Sequence, residues 1–157
     1  HPIFRSCGSS PWEVEKGTTQ ARLLSGRFRV EALTGHWDPG NREGLCTLPE
    51  CWRTLDWHKG SVEHFLLSCP SLSSARQTLH MFNLRHLESN PYLEPIVNEC
   101  LEMCAVQFWL DCSTMPPVIT AVQQFGEGLL CDLFKMTRNY CHGLHRARKA
   151  LLENDQL

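Results

Sequence analysis

Apolar residues recur at three- and four-residue spacing along much of this chain, which is the pattern of amphipathic helices. The first such helix is expected to begin near Thr18 and to stop at Gly35. A second is expected from Glu94 to Leu110, with its inward positions at Ile96, Val97, Cys100, Leu101, Cys104 and Phe108. The longest starts near Val118 and is expected to be loosened at Gly126, Gly128 and Gly143; it has apolar positions at Val118, Val122, Phe125, Leu129, Leu133, Met136, Tyr140 and Leu144. These patterns predict a mainly α-helical fold.

The region between these helices is less regular. A short helix is expected from Ser61 to Ser68 with Ser61 as its cap, and another after Pro70 with Ala75, Leu79 and Phe82 facing inward. Short β pairing is an open alternative near residues 46–53. The first residues contain Gly8-Ser9-Ser10-Pro11, which is typical of a linker.

These patterns divide the chain into three predicted parts. Residues 1–17 are expected to be a flexible N-terminal segment. Residues 18–89 are expected to hold a helix and a small irregular zinc-bound module, and residues 90–157, after the break at Asn90-Pro91, a C-terminal helical region.

The spacing Cys46-x4-Cys51-x12-His64-x4-Cys69 carries the clearest chemistry in the sequence. Two close pairs of ligands joined by a longer loop supply the tetrahedral sulfur and nitrogen shell that Zn²⁺ prefers, and four protein ligands leave no open position for water. We therefore predict one structural zinc site of the Cys-Cys-His-Cys type. His58 is an alternative third ligand, but it would shorten the connecting loop to six residues. The helix bearing His64 should end just before Cys69, because a residue that precedes proline avoids the helical region.

The remaining cysteines leave a second metal site open. Cys100 and Cys104 share a helix face at i, i+4, and Cys141, His142 and His145 lie close together in sequence. Burial is the favoured interpretation, since free cysteine behaves as a small apolar side chain in protein cores.

Composition and charge place limits on function. Apolar residues make up 42% and the formal net charge is −2, so the chain as a whole is not a polycation and nucleic-acid binding would need a local patch. No apolar run approaches the roughly 18 residues of a membrane span, and no signal peptide is visible. The nine cysteines are an odd number, which favours reduced thiols and an intracellular location, nuclear or cytoplasmic. Because the chain starts at His1, we expect a fragment of a longer product.

The metal-binding segment also resembles a known family. Cys46-Thr-Leu-Pro-Glu-Cys51, followed by Gly60-Ser-Val-Glu-His-Phe-Leu-Leu-Ser-Cys69-Pro70, is similar to the zinc-binding segment that follows the polymerase domain in non-LTR retrotransposon reverse transcriptases. The shared pattern is a Cys pair, then Glu-His among apolar residues, then Cys-Pro. The likeness covers roughly residues 21–79 and is specific in the metal-binding segment.

This resemblance implies a module at the C-terminal side of a retroelement polyprotein that helps position template RNA or target DNA. The chain has no Tyr-x-Asp-Asp polymerase signature and no clear Pro-Asp with a following Asp/Glu-x-Lys nuclease set. A deaminase would need His-x-Glu followed by Pro-Cys-x-x-Cys, which is also missing. We therefore expect no enzyme activity and no small-molecule substrate, and we expect the rest of the reverse transcriptase polyprotein as a partner.

Two functional hypotheses remain open. For RNA or DNA binding, the candidate phosphate contacts are Arg22, Arg27, Arg29, Arg42, Arg53 and Lys59, with Trp37, Trp52 and Trp57 interleaved. A solvated charged face with tryptophans buried against the zinc would give the same pattern. The alternative function is a zinc-stabilised helical protein–protein interaction module, with a seam of Phe108, Trp109, Phe125, Phe134 and Tyr140. Those five residues could equally form the domain's own core.

Overall fold

The computed structural model describes residues 8, 10–27, 44–53 and 59–154 of the chain. The α-helices are α1 (Pro11–Leu24), α2 (Pro49–Arg53), α3 (Ser73–Ser89), α4 (Glu94–Asp111), α5 (Pro116–Phe125) and α6 (Glu127–Asn154). A π-helical turn spans His64–Ser68, and 3-10 turns span Pro70–Leu72 and Cys112–Thr114. The described residues contain one isolated antiparallel bridge, between Leu45 and Lys59. The prediction of a mainly helical fold is confirmed.

Helix α1 begins earlier than the apolar pattern indicates. The Ser10 hydroxyl accepts a 3.3 Å hydrogen bond from the backbone N–H of Glu13, and Pro11 occupies the first turn, where a missing N–H costs nothing. The predicted start near Thr18 is therefore wrong, and residues 11–17, expected to be flexible, are helical. The helix ends at Leu24, and Gly26 follows with a φ of 68°. The predicted stop at Gly35 lies outside the described residues.

Helix α6 is the centre of the fold, because α1, α3, α4 and α5 all pack against it. Its inward face includes Leu133, Phe134, Cys141 and Leu144, which are completely buried. Gly143 lets α3 come close, since a Cβ at this position would lie 2.6 Å from Cδ2 of Leu79. Within the described part of the chain, no helix has the length and apolar character needed to cross a membrane.

The long C-terminal helix predicted from Val118 onward is two helices. Gly126 separates α5 from α6 with a φ of 86°, a conformation that residues with a Cβ rarely adopt. Its backbone N–H donates 2.8 Å to the carbonyl of Val122, which closes the end of α5. The chain can therefore turn between the two helices, and α5 packs back against α6.

Two expected inward positions face solvent. Helix α4 matches its predicted bounds closely, but it is kinked at Cys104, where φ is −163° and ψ is 95°. This kink interrupts the helical repeat, and Cys104 is exposed. In α3, Phe82 is 54% exposed, whereas the charged residue Arg76 is half-buried. The inward positions of Cys104 and Phe82 were expected from a regular helical repeat. In the folded chain, the kink and the packing of neighbouring elements decide which residues are buried.

Most of the predicted aromatic seam belongs to the protein's own core. Trp109 stacks on Tyr140 with ring centroids 3.8 Å apart, and Phe108 meets Trp109 edge-on at 5.0 Å. These three residues and Phe134 are buried, so they are not free to bind a partner. Phe125 is 53% exposed at the end of α5.

Candidate metal centre

The structure brings together the four residues that the cysteine and histidine spacing indicates. The ligand atoms of Cys46, Cys51, His64 and Cys69 all lie within 4.8 Å of one another, and all four residues are buried. The sulfur of Cys51 is 3.4 Å from Nε2 of His64 and 3.6 Å from the sulfur of Cys69. This cluster can hold a metal ion.

The first ligand pair is positioned by a tight turn that leads into α2. Cys46 lies just before the helix and Cys51 lies within it. The backbone N–H of Cys51 donates 3.1 Å to the carbonyl of Leu48, whose side chain is almost fully buried. The segment is held to the second half of the module by the Leu45–Lys59 bridge.

The second ligand pair is positioned by the π-helical turn. The Ser61 hydroxyl accepts a 3.0 Å hydrogen bond from the backbone N–H of His64, which confirms its predicted role as a cap. The N–H of Cys69 donates 2.8 Å to the carbonyl of His64, and Cys69 then leaves the helix with φ −58° and ψ 116°. The predicted helix end before Cys69 is confirmed. The alternative ligand His58 lies outside the described residues.

Hydrogen bonds around the cluster orient its members. With Nε2 of His64 facing Cys51, Nδ1 lies 3.3 Å from the Ser68 hydroxyl, an arrangement that fixes the ring when Nε2 binds a metal. Arg76 donates 2.6 Å to the carbonyl of Cys69. This contact explains why Arg76 is half-buried.

The three thiols have unequal affinities for protons. A hydrogen bond from Cys69, supported by His64, lowers the pKa of Cys46 to about 4 despite burial. The same hydrogen bond and burial raise the pKa of Cys69, and burial, followed by the proximity of Cys46, raises the pKa of Cys51. Burial and the neighbouring Cys46 sulfur together therefore disfavour ionisation of the other two thiols. A bound divalent cation would remove that restriction, because coordination deprotonates thiols outright.

The residues predicted to contact phosphates differ in their exposure and ion pairing, and some lie outside the described residues. Arg22 and Arg27 are exposed at the C-terminal end of α1, and Arg53 is exposed and forms a 3.1 Å ion pair with Glu50. Lys59 is exposed and lines a cleft of about 270 Å³ beside His64. Arg29, Arg42, Trp37, Trp57 and the side chain of Trp52 lie outside what the structure describes.

Three of the other candidate ligands, Cys100, Cys141 and His142, are buried in the helical core. Cys141 donates from its sulfur to the carbonyl of Trp109 at 3.3 Å, and burial raises its pKa. Nδ1 of His142 lies 3.4 Å from the hydroxyl of Thr19 in α1. Burial raises the pKa of Cys100 to about 11, which leaves it a protonated thiol at neutral pH. Among the described residues, the Cys-Cys-His-Cys cluster is the one group of three or more potential ligands.

Sequence reasoning missed an aromatic and cationic surface on α1 and α6. The indole ring of Trp12 is 43% exposed, and Lys16 Nζ and Arg146 Cζ lie 5.5 and 5.4 Å from its centroid. Trp12 was assigned to a flexible segment, and Arg146 is distant in sequence. The Ser10-Pro11 start signal could have placed Trp12 on a helix, but its contact with Arg146 depends on tertiary packing.

No protein-family model, curated protein or solved structure matches this chain. The chemistry of the cluster and of the charged surfaces is therefore the basis for inferring function.

Proposed function

We propose that this chain is a non-catalytic zinc-binding module of a retroelement reverse transcriptase-like protein, and that it assists RNA or DNA binding. The observation that carries the proposal is the buried cluster of three sulfurs and one imidazole. Its other support is the resemblance of the segment from Cys46 to Pro70 to reverse transcriptase zinc segments. The remainder of that polyprotein is the proposed partner.

Zinc is the proposed ion because of the donor set and its spacing. Zn–S bonds of about 2.3 Å and a Zn–N bond of about 2.0 Å place tetrahedral ligand atoms about 3.5–3.8 Å apart. The Cys51–His64 and Cys51–Cys69 separations of 3.4 and 3.6 Å are close to these values. Four protein ligands fill the shell, which favours a structural role over hydrolysis by a metal-bound water. Such a site needs reduced thiols, and this supports a nuclear or cytoplasmic location.

The proposed zinc content can be measured directly. Native mass spectrometry of the purified chain should show one zinc ion per polypeptide, and Cys51→Ser should lose it. Cys104→Ser is the matched control, because Cys104 is exposed and outside the cluster. A folded wild-type chain that takes up no zinc would contradict the proposal.

RNA or DNA binding has a characteristic dependence on salt. Each phosphate contact with a single strand lowers the logarithm of the affinity by about 0.7 per tenfold increase in salt. Fluorescence anisotropy with a labelled oligouridylate and with the corresponding DNA should show such a slope. Affinity for both oligonucleotides that is absent or independent of salt would remove this part of the proposal.

A second candidate function is a zinc-stabilised protein–protein interaction module. The observation that favours it is the exposure of three apolar side chains of α3, namely Met81, Phe82 and Leu84. Burial of these residues on association would be driven by the hydrophobic effect and would be insensitive to salt. Sedimentation analysis of the protein at low and high salt tests this candidate. Association that is unchanged by salt would support it, whereas binding to an oligonucleotide that weakens with salt would support the first function.

A further inference from the structure

The indole of Trp12 is held in a fixed position while much of its surface stays open to solvent. It meets the ring of His142 edge-on, with centroids 4.8 Å apart and planes at 87°. Its neighbour Glu13 approaches the buried guanidinium of Arg138 at 3.7 Å, and Thr19 contacts His142. These contacts anchor the first turns of α1 on α6. Trp12 nevertheless remains 43% exposed, so the ring is a rigid aromatic surface rather than a core residue.

The surroundings of Trp12 are cationic. Lys16 and Arg146 lie next to its ring, and the stretch from Lys135 to Lys149 on α6 contains five Lys or Arg residues and no acidic residue. Burial first, and then the nearby His142, Arg148 and Lys149, lower the pKa of His145, while Glu15 acts in the opposite direction.

The nearby acidic groups offset only part of this charge. Glu13 is already paired with Lys16 at 2.7 Å and also lies close to Arg138, and Lys149 approaches Glu153 at 3.7 Å. Glu15 lies near His142 and His145 and is the third acidic group of this region. Within the described residues, Arg146 has no carboxylate partner. The opposite charge is concentrated elsewhere, since residues 86–134 hold seven acidic residues and no Lys or Arg. Charge is therefore segregated along the sequence, and the exposed tryptophan packs next to the basic segment of α6.

We propose that Trp12, Arg146 and Lys149 form a binding surface for single-stranded nucleic acid. A base would stack on the indole, while Arg146 and Lys149, which are exposed, would contact the flanking phosphates. Lys16 is mostly buried and paired with Glu13, so it supports the ring and is not counted as a phosphate contact. A stretch of acidic protein would satisfy the cations but would gain nothing specific from a flat aromatic face. This inference rests on the proposed function and assigns it to a surface other than the predicted cations Arg22, Arg27, Arg29, Arg42, Arg53 and Lys59.

The contributions of base stacking and of phosphate contacts to the affinity can be separated by their salt dependence. Affinity of the full-length, zinc-loaded chain for a labelled oligouridylate of about 15 nucleotides would be measured at several salt concentrations. Trp12→Ala should weaken binding about tenfold without changing the salt slope, because stacking releases no counterions. Trp12→Phe should recover most of the affinity, since a phenyl ring also stacks. Arg146→Gln should weaken binding and reduce the slope by about 0.7.

Matched controls come from α3, a helix that carries none of the residues of the proposed surface. Phe82 in α3 is 54% exposed, so Phe82→Ala removes an aromatic ring that is somewhat more accessible than Trp12. Arg85 in the same helix is exposed, and Arg85→Gln changes the net charge as Arg146→Gln does. Both variants should bind like the wild type. Thermal unfolding of every variant identifies loss of folding, and the exposed position of Arg146 keeps the test usable if Trp12→Ala unfolds.

The outcomes separate failure of the proposed Trp12 surface from failure of the proposed function. If the wild type binds in a salt-dependent way and only Arg27→Gln with Lys59→Gln weakens it, the Trp12 surface is wrong and the proposed function stands. If polyaspartate competes as well as the oligonucleotide, base stacking is wrong. If the wild type binds no RNA or DNA at any salt concentration, the proposed function fails.

Discussion

The hydroxyl of Tyr140 donates a 2.8 Å hydrogen bond to the backbone carbonyl of Leu66. Tyr140 lies in the middle of α6, and Leu66 lies in the π-helical turn that carries His64. Burial raises the pKa of Tyr140 to about 12, so the hydroxyl keeps its proton and remains a donor at neutral pH. This bond joins the metal-binding segment to the helical core, and the two should therefore unfold together.

Removing this hydroxyl should weaken the whole domain. In Tyr140→Phe the buried carbonyl of Leu66 loses its side-chain donor, and we expect a loss of about 1–3 kcal/mol in the free energy of unfolding. Urea denaturation followed by circular dichroism measures it. Tyr92→Phe is the matched control, because the Tyr92 hydroxyl donates 3.0 Å to Asp132 at an exposed site. A Tyr140→Phe chain as stable as Tyr92→Phe would mean that the link contributes nothing.

Loss of the metal should destabilise α6, which packs against the metal-binding segment. A chelator, or Cys69→Ser, removes an ion whose binding contributes apparent folding free energy of the order of 10 kcal/mol in small zinc modules. Because Leu66 and Leu72 are fully buried in the same core as Leu144, we expect α6 to lose protection from hydrogen exchange. Hydrogen exchange with and without chelator checks this. Unchanged protection of α6 would show that the two parts fold independently.

The break between α5 and α6 should depend on glycine at one position. Gly126→Ala forces a side chain into a backbone with φ of 86°, and should cost about 1 kcal/mol or more. Gly128→Ala, two residues later in α6, has open space around its Cβ and should stabilise the helix by about 0.5–1 kcal/mol. Thermal unfolding of both variants measures the difference. Equal effects would show that the left-handed turn at Gly126 is dispensable.

Stability should fall when the pH drops below about 6.5, in part because of His142. Burial lowers the pKa of this residue from its ordinary value of 6.5, and its Nε2 is buried without a hydrogen-bond partner in the described structure. The unfolded chain therefore binds a proton before the folded chain does. The contribution of His142 is fully present above pH 6.5 and is lost as the pH falls towards the lowered folded value.

A variant comparison isolates this contribution from protonation of the metal ligands. His142→Gln should lose less stability than the wild type between pH 7.5 and 5.5, although it is less stable at the higher pH. The exposed His80 provides the control, and His80→Gln should follow the wild-type curve. Parallel curves for His142→Gln and the wild type would contradict the assignment.

The features that sequence determined are those with local physical causes. The spacing of Cys46, Cys51, His64 and Cys69 indicated the cluster, because two short ligand pairs can reach one centre whatever surrounds them. Proline after Cys69 indicated the helix end, since it restricts the preceding residue directly. The helical periodicity of α4 indicated its bounds closely. The Ser10-Pro11 start signal was equally local and was misread as a linker.

The remaining features depend on contacts between residues far apart in the chain. Only packing decides that Arg76 turns inward to Cys69, that Tyr140 reaches Leu66 and that Arg146 lies next to Trp12. Helical periodicity says which face of a helix is apolar but not which partner covers it, and Phe82 is exposed although its position fits the stripe. Sequence by itself thus determined the mainly helical character and the ligand set, whereas tertiary structure decided which charged and aromatic groups share a surface, because that depends on how the helices cross.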